Sequence, residues 1–428
     1  MSTARFLPVS RVTLLALFVG TAALVFAHAH PLTGWAYADW AAASAEARQS
    51  LALAGVWAAG CASWAASLHS TAASATCPVP AVRNGAPLVR SQSVLLIAAA
   101  IVGEAAGLAP TYVWCAIHST YAADLRPLVI VGGVAVLVAS VCFGYLCGVL
   151  LPRLLAVPAA VVLAFGAVAF TGADGSPLSP VWPFDVAAGL AEPGPVAGLR
   201  IAFYITTAIL CLLASARWLE ERRTTPATVI PTVASMTPIL LIVLLSATNS
   251  APLVHRDASA GARCASVGDS RVCVHPARAT LLPELAAAVR SMQTVIGPDA
   301  PLPARIYDAT TWPPESSDGL SLQLQDERPA QWRAYVALDL SSNLLRTAGC
   351  GPGADTSGSS PGDVASAAAV WLASQVDPGA SAISGSGSAS ELARDLLRAP
   401  PAAVTPLLRH SLADLRACRA TVAELLPR

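Results

Sequence analysis

The chain has 428 residues, 55% of them hydrophobic and only 12% charged, with a formal net charge of zero. A soluble domain carries about 25% charge, so this composition excludes an ordinary soluble protein, and a balanced charge offers no field to recruit nucleic acid. Every basic residue other than histidine is Arg, so the chain can form neither a phosphate-binding loop, which needs its Lys, nor the ATP site of a protein kinase.

A membrane-crossing helix needs about 20 apolar residues. In chain order the apolar runs predict seven: Val12–Ala27, Leu51–Leu68, Val94–Cys115, Leu128–Leu150, Leu154–Phe170, Ile201–Ala216 and Val229–Ala247. The first run also resembles a secretory signal peptide, with Arg5 and Arg11 before it and Ala27-His28-Ala29 as a cleavage-site pattern. Arginine placement sets the orientation. One set of flanks holds Arg5, Arg11, Arg83, Arg90, Arg153, Arg217, Arg222 and Arg223. The alternate loops hold Arg48, Arg126 and Arg200 together with Asp39, Glu46, Asp124, Asp174, Asp185 and Glu192. This bias places the N-terminus in the cytoplasm, and seven crossings then put the C-terminal domain outside a plasma membrane.

Within the spans, Glu104 is the only acid read as lying well inside an apolar run. An intramembrane carboxylate is costly and marks a functional-site candidate, here for a substrate path, a proton relay or a helix contact. Gly144 and Gly148 have the small-x-x-x-small spacing of a helix-packing face. His28, His30 and His118 fall near the outer surface but show no metal-ligand spacing, and neither a metal nor another cofactor is expected.

After residue 248 the chain changes character, giving two domains, 1–248 and 249–428. The second carries Cys264, Cys273, Cys350 and Cys418. An even cysteine count outside the cytoplasm reads as a disulfide framework, with three possible connectivities. The favoured one joins Cys264 to Cys273 across a short hairpin turning at Gly268-Asp269, and Cys350 to Cys418, tying a loop to the last helix. The remaining pattern is mixed: a helix over Leu281–Ile296, strands over Ala304–Tyr307 and Leu320–Leu324, then helices over Gln331–Leu345, Val364–Ser374, Ser390–Leu397 and Val404–Leu426, the last broken near Ala413. No nucleophile elbow or other catalytic constellation is present, and His275-Pro276 reads as a fixed turn, so an enzyme is not expected.

Two stretches carry a resemblance. Gly144-Tyr-Leu-Cys-Gly-Val-Leu-Leu-Pro152-Arg153 with the Leu-Leu-Ala-Val-Pro158 that follows is one; Arg263-Cys264 through Val272-Cys273-Val-His275-Pro276-Ala277 is the other. Together they resemble actinobacterial multi-pass membrane proteins described as permease-like or ABC-transporter-associated. The resemblance implies a six-helix unit like that of type-2 exporters, a further helix and a cysteine-bearing outer domain. It also implies an ABC ATPase in trans and a second permease subunit or homo-oligomer in the lipid membrane. The cytoplasmic surface best suited to dock such an ATPase is Glu220, Glu221, Arg222 and Arg223 with Arg83 and Arg90.

The fold expected is thus an α-helical polytopic membrane protein of about seven transmembrane helices with a C-terminal extracytoplasmic α+β, helix-rich, disulfide-bonded domain. The function expected is a permease-like subunit of an ABC-type export system. The alternative is a non-transporting sensor, immunity or scaffold protein whose outer domain binds a ligand or envelope partner; the scarcity of polar groups in the spans beyond Glu104 favours it.

Overall fold

The computed structural model of the chain describes residues 9–68, 85–173, 176–181, 188–221, 252–257, 261–297, 302–309, 319–322, 324, 329–345, 347, 350, 360–383 and 388–426. It divides into two compact units. One comprises Met1–Thr33, Asp39–His118 and Ala122–His255; the other comprises Gly34–Ala38, Ser119–Tyr121 and Arg256–Arg428.

The first unit is built from α1 (Arg11–Ala29), α2 (Trp40–Gln49), α3 (Leu51–Ser67), α4 (Gly85–His118), α5 (Pro127–Leu150), α6 (Arg153–Ala173) and α7 (Gly194–Glu221). Among the described residues there are six helices long and apolar enough to cross a membrane, with α2 and α3 joined as one span over Trp40–Ser67. These mark the chain as a membrane protein. The seventh expected span, Val229–Ala247, lies outside the described residues.

The second span corrects the sequence reading, which begins it at Leu51. Asp39 caps α2, its Oδ1 accepting hydrogen bonds from the Ala41 and Ala42 amides at 2.8 and 3.1 Å, so the helix starts at Trp40. The first turns carry Glu46, Arg48 and Gln49 on an otherwise Ala-rich segment.

Small residues set the helix spacing. In a bilayer, helices gain by close backbone packing, because lipid tails are as apolar as the side chains they would displace. A side chain at Gly144 would collide with the Ala59 carbonyl, and one at Gly148 with that of Ser63. This pair therefore lets α5 lie directly on α3. Gly103 and Gly107 do the same for α4 against the Phe18 and Ala22 carbonyls of α1. A consequence is that Gly144→Val should destabilise the helical unit by about 1–3 kcal/mol through overpacking. Gly166→Ala, whose new methyl would meet only the Phe170 ring at 3.8 Å, should be close to neutral. Thermal unfolding of both purified variants checks the contrast, and equal midpoints would refute it.

The second unit holds a four-stranded sheet in sequential order: β1 (Arg263–Val267), β2 (Ser270–Val274), β3 (Arg305–Asp308) and β4 (Gly319–Leu322). β1 and β2 are antiparallel, whereas β2–β3 and β3–β4 are parallel. The β1–β2 turn has Gly268 at a left-handed φ of 56°, the conformation a tight hairpin asks for. That turn sets Cys264 opposite Cys273, and the two are disulfide-bonded. The parallel β2–β3 pair needs a crossover, supplied by α8 (Leu282–Ile296), whose Leu285, Val289, Met292 and Ile296 are buried.

The helices α9 (Pro329–Leu345), α10 (Pro361–Val376), α11 (Ala380–Ile383), α12 (Ser388–Arg398), α13 (Pro401–Arg416) and α14 (Val422–Leu425) complete the unit. Its core joins Val272, Val274, Ile306, Leu320 and Leu322 of the sheet to Trp332, Leu340 and Trp371. A second disulfide links Cys350 to Cys418. The final helix breaks at Ala417–Thr421, later than the expected break near Ala413. Cys418 adopts a left-handed φ of 55°, which ends α13, and Thr421 with Glu424 forms a capping box that starts α14.

Candidate functional site

Glu104 stands near the middle of α4 on its inward stripe with Leu96, Ala100, Leu108, Thr111 and Cys115. It is 2% exposed, and neither carboxyl oxygen has a hydrogen-bond partner among the described residues. The flanking Gly103 and Gly107 admit the backbone of α1 at this level, leaving no room for a long polar side chain from that helix. Thr21 Oγ1, on the facing side of α1, is likewise buried without a partner among the described residues.

Glu104 is not the sole acid in the spans, which corrects the sequence reading. Glu46 lies within the α2–α3 span and is buried, not in a solvent loop. Its Oε2 is 3.4 Å from His28 Nε2 at the end of α1. Tyr112, two turns beyond Glu104 on α4, packs its ring edge-on against Trp40 at 5.9 Å. Its hydroxyl also has no hydrogen-bond partner among the described residues. Thr111 Oγ1 donates to the Ala29 carbonyl at 3.2 Å and closes α4 onto the end of α1.

A second polar centre lies nearby in the same unit. Glu192 receives Arg48 Nη1 on one oxygen at 2.8 Å and Arg200 Nη1 on the other. All three side chains are 1% exposed. Arg200 Nε also donates to the Pro177 carbonyl at 3.1 Å, and Asp39 Oδ2 accepts from the Ala188 amide at 2.7 Å. Asp124 is buried too and pairs with Arg126 at 3.3 Å. Asp39, Glu46, Arg48, Asp124, Glu192 and Arg200 were all expected in open loops. The structure encloses them because α2 and the Ser176–Val181 and Ala188–Ala191 segments fold onto the helix ends. Opposite charges pair there, which offsets their removal from water.

Between α3, α5, α6 and α7 lies a cavity of about 560 Å³. Its walls are apolar, including Leu51, Phe143, Leu163 and Phe203, with polarity limited to Ser140, Thr171, Ser176, Tyr204 and Thr207. Such a lining suits an acyl chain and not a polar solute.

Of the expected ATPase-docking residues, Arg90 is exposed on α4. Glu220 and Glu221 form the end of α7, and Arg83, Arg222 and Arg223 lie outside the described residues. Five cysteines of the helical unit, Cys61, Cys115, Cys142, Cys147 and Cys211, are free thiols. Among the described residues no group of three His, Cys, Asp or Glu side chains is placed to hold a metal ion. In the second unit His275 Nδ1 accepts from the Ala277 amide at 3.3 Å and caps the 3-10 turn Pro276–Leu281, the role of a fixed turn.

Fold and site together define a helical membrane protein with a disulfide-bonded C-terminal unit and buried polar centres in its spans. Compared with protein-family models, with curated proteins and with solved structures, the chain matches none.

Proposed function

We propose that the chain is a permease-like membrane subunit of an export system energised by a separate ABC-type ATPase. In this reading the helical unit carries the path, Glu104 stands in it, and the C-terminal unit is extracytoplasmic and gates or docks a partner. The observation that carries the reading is that the spans bury two acids, Glu104, neither of whose oxygens has a hydrogen-bond partner among the described residues, and Glu46, which pairs with His28 at 3.4 Å. A membrane domain that serves only as an anchor has no use for such costly groups. Polarity in the spans thus goes beyond Glu104, which removes the main objection to a transport role.

If the system uses ATP, a separate subunit must supply the ATPase, because without Lys this chain can build no phosphate-binding loop. The extracytoplasmic assignment draws on the arginine bias and on two disulfides in the C-terminal unit, bonds that persist in oxidising compartments.

The test has two parts. Gentle purification from the native membrane, followed by mass spectrometry, should recover a nucleotide-binding subunit in stoichiometric amount. Glu104→Gln should abolish export while the protein accumulates normally. Unchanged export by this variant would sink the role given to Glu104.

A second reading, a ligand-binding sensor or scaffold, draws on one groove in the C-terminal unit. It has a volume of about 370 Å³ and is lined by Pro283, Ser291, Trp332, Val336 and Val376. The Glu284–Arg333 ion pair at 3.0 Å stands at its rim. Recovery of an envelope or secreted protein in place of an ATPase would favour it.

A further inference from the structure

The sixth and seventh helices of the helical unit leave a wedge between them. α6 packs against α3 and α5, and α7 packs against α5 and α4, so both lean on α5. The cavity of about 560 Å³ fills the space this leaves. α6 is the least buried of the six spans, and its Val162, Leu163 and Phe170 are exposed. Leu163 also stands on the cavity wall, so the cavity opens sideways onto the surface that α6 turns to the bilayer.

We infer that this wedge is a lateral binding site for an acyl chain of a membrane phospholipid. The lipid comes from the leaflet on the side of the membrane where α6 ends and α7 begins. The site goes beyond the transport reading and does not depend on it.

Dimensions fit that occupant. Leu163 and Thr171 both line the cavity, one about halfway along α6 and the other near its end. They are eight residues apart, a rise of about 12 Å. The hydrocarbon of one leaflet is about 15 Å deep, half of a core of about 30 Å. A chain lying along α6 therefore fills the cavity without leaving its own leaflet. The volume also falls among those of sites that enclose a small ligand.

The chemistry of the walls selects against water. Ser140, Thr171, Tyr204 and Thr207 each donate to a main-chain carbonyl, at 2.9, 2.5, 2.7 and 2.8 Å. The Ser176 hydroxyl accepts from the Leu178 amide at 3.2 Å. These five hydroxyls are thus engaged with local backbone, on walls that are otherwise apolar. A buried water needs two to four polar partners, and apolar cavities stay dry. Left empty, the wall atoms would lose their packing contacts outright. An acyl chain supplies those contacts and asks for no hydrogen bond.

The route of entry follows from the loop at one end. Ser176, Leu178 and Pro180 close the cavity there. Arg200 Nε holds the Pro177 carbonyl at 3.1 Å and the Tyr204 hydroxyl holds that of Leu178, while Arg200 is itself fixed by Glu192. With this end tied down, the chain enters between α6 and α7. Among the described residues no charged side chain lines the cavity, so the phosphate headgroup stays outside, at the membrane interface.

The experiment is native mass spectrometry of the full-length protein, reconstituted in vesicles of phosphatidylethanolamine and phosphatidylglycerol and released in mild detergent. The expected result is one phospholipid retained by the unmodified protein. Ala164→Trp puts a side chain of about 150–250 Å² on the cavity wall and should lower the retained fraction to less than about a fifth. Val162→Trp, on the outward surface of the same helix, should leave it unchanged. Val168→Phe, also on the wall, serves if Ala164→Trp does not fold. Leu163→p-benzoylphenylalanine, illuminated in the same vesicles, should cross-link to lipid. No retained phospholipid, or equal retention in the wall variants and in Val162→Trp, would overturn the inference. So would cross-links from position 163 to the Val229–Ala247 segment or to a second copy of the chain, since protein would then cover the wedge.

Discussion

Glu192→Gln is expected to cost the helical unit roughly 3–5 kcal/mol, enough to consume much of the stability of an ordinary domain. Glu192 is a single carboxylate shared by Arg48 and Arg200, with all three side chains 1% exposed. Glutamine preserves the shape and one acceptor but removes the only formal negative charge in the trio. Two guanidinium groups then repel each other in a medium of low dielectric, and neither can neutralise itself as a carboxyl can. The measurement is the yield and thermal midpoint of the purified variant beside the unmodified protein. If the charge balance is the cause, Arg48→Met combined with Glu192→Leu and Arg200→Met should recover most of the loss, since replacing a whole buried ion cluster by packed apolar side chains is often neutral or better. A triple variant no more stable than Glu192→Gln would mean that charge balance is not the main term, or that the Arg200 Nε hydrogen bond to the Pro177 carbonyl, lost in the triple variant, outweighs the relief.

That trio also shows where sequence reading stops. The six apolar spans were legible because an apolar run of bilayer length has a local signature that needs no partner. The span over Trp40–Ser67 was legible only in its second half. Its hydropathy is the lowest of the six, since even its Leu51–Ser67 half is built largely of Ala, Gly, Ser and Trp, and Glu46 and Arg48 stand in the turns before it. The helix start was nonetheless available in Asp39-Trp40-Ala41-Ala42, an N-cap residue before helix formers. The partner of Arg48 was not available, since Glu192 lies 144 positions away and no local rule joins the two. Glu104 stood out as a lone acid in an apolar run. Glu46 and Tyr112 did not, since one was assigned to a loop and a tyrosine in an apolar run carries no mark of its own. The Cys264–Cys273 hairpin was legible from its turn residues alone. The parallel pairing of β2 with β3 was not, since a crossover leaves no mark beyond an amphipathic helix between two short strands.

In the C-terminal unit the largest effect is expected at Asp308. Arg278 Nη1 meets both Asp308 oxygens, at 2.7 and 2.6 Å, and the two residues are 2% and 0% exposed. The guanidinium also lies over the Tyr37 ring at 5.0 Å, so it is held from two sides. Asp308 ends β3, and Arg278 lies in the 3-10 turn that His275 caps. The pair therefore fastens the third strand to the segment between β2 and α8. Asp308→Asn should cost about 3–5 kcal/mol, because it strips the charge from one partner and leaves the other buried. Hydrogen–deuterium exchange of the intact protein should localise the damage: amides of β2, β3 and α8 lose protection while those of α3 and α5 keep theirs. Arg278→Met with Asp308→Leu should restore protection, although without the cation–π contact to Tyr37, which contributes up to about 2 kcal/mol when desolvated. Protection unchanged in Asp308→Asn would mean that the hydrophobic core around Val272, Ile306 and Leu285 holds these elements together without the ion pair.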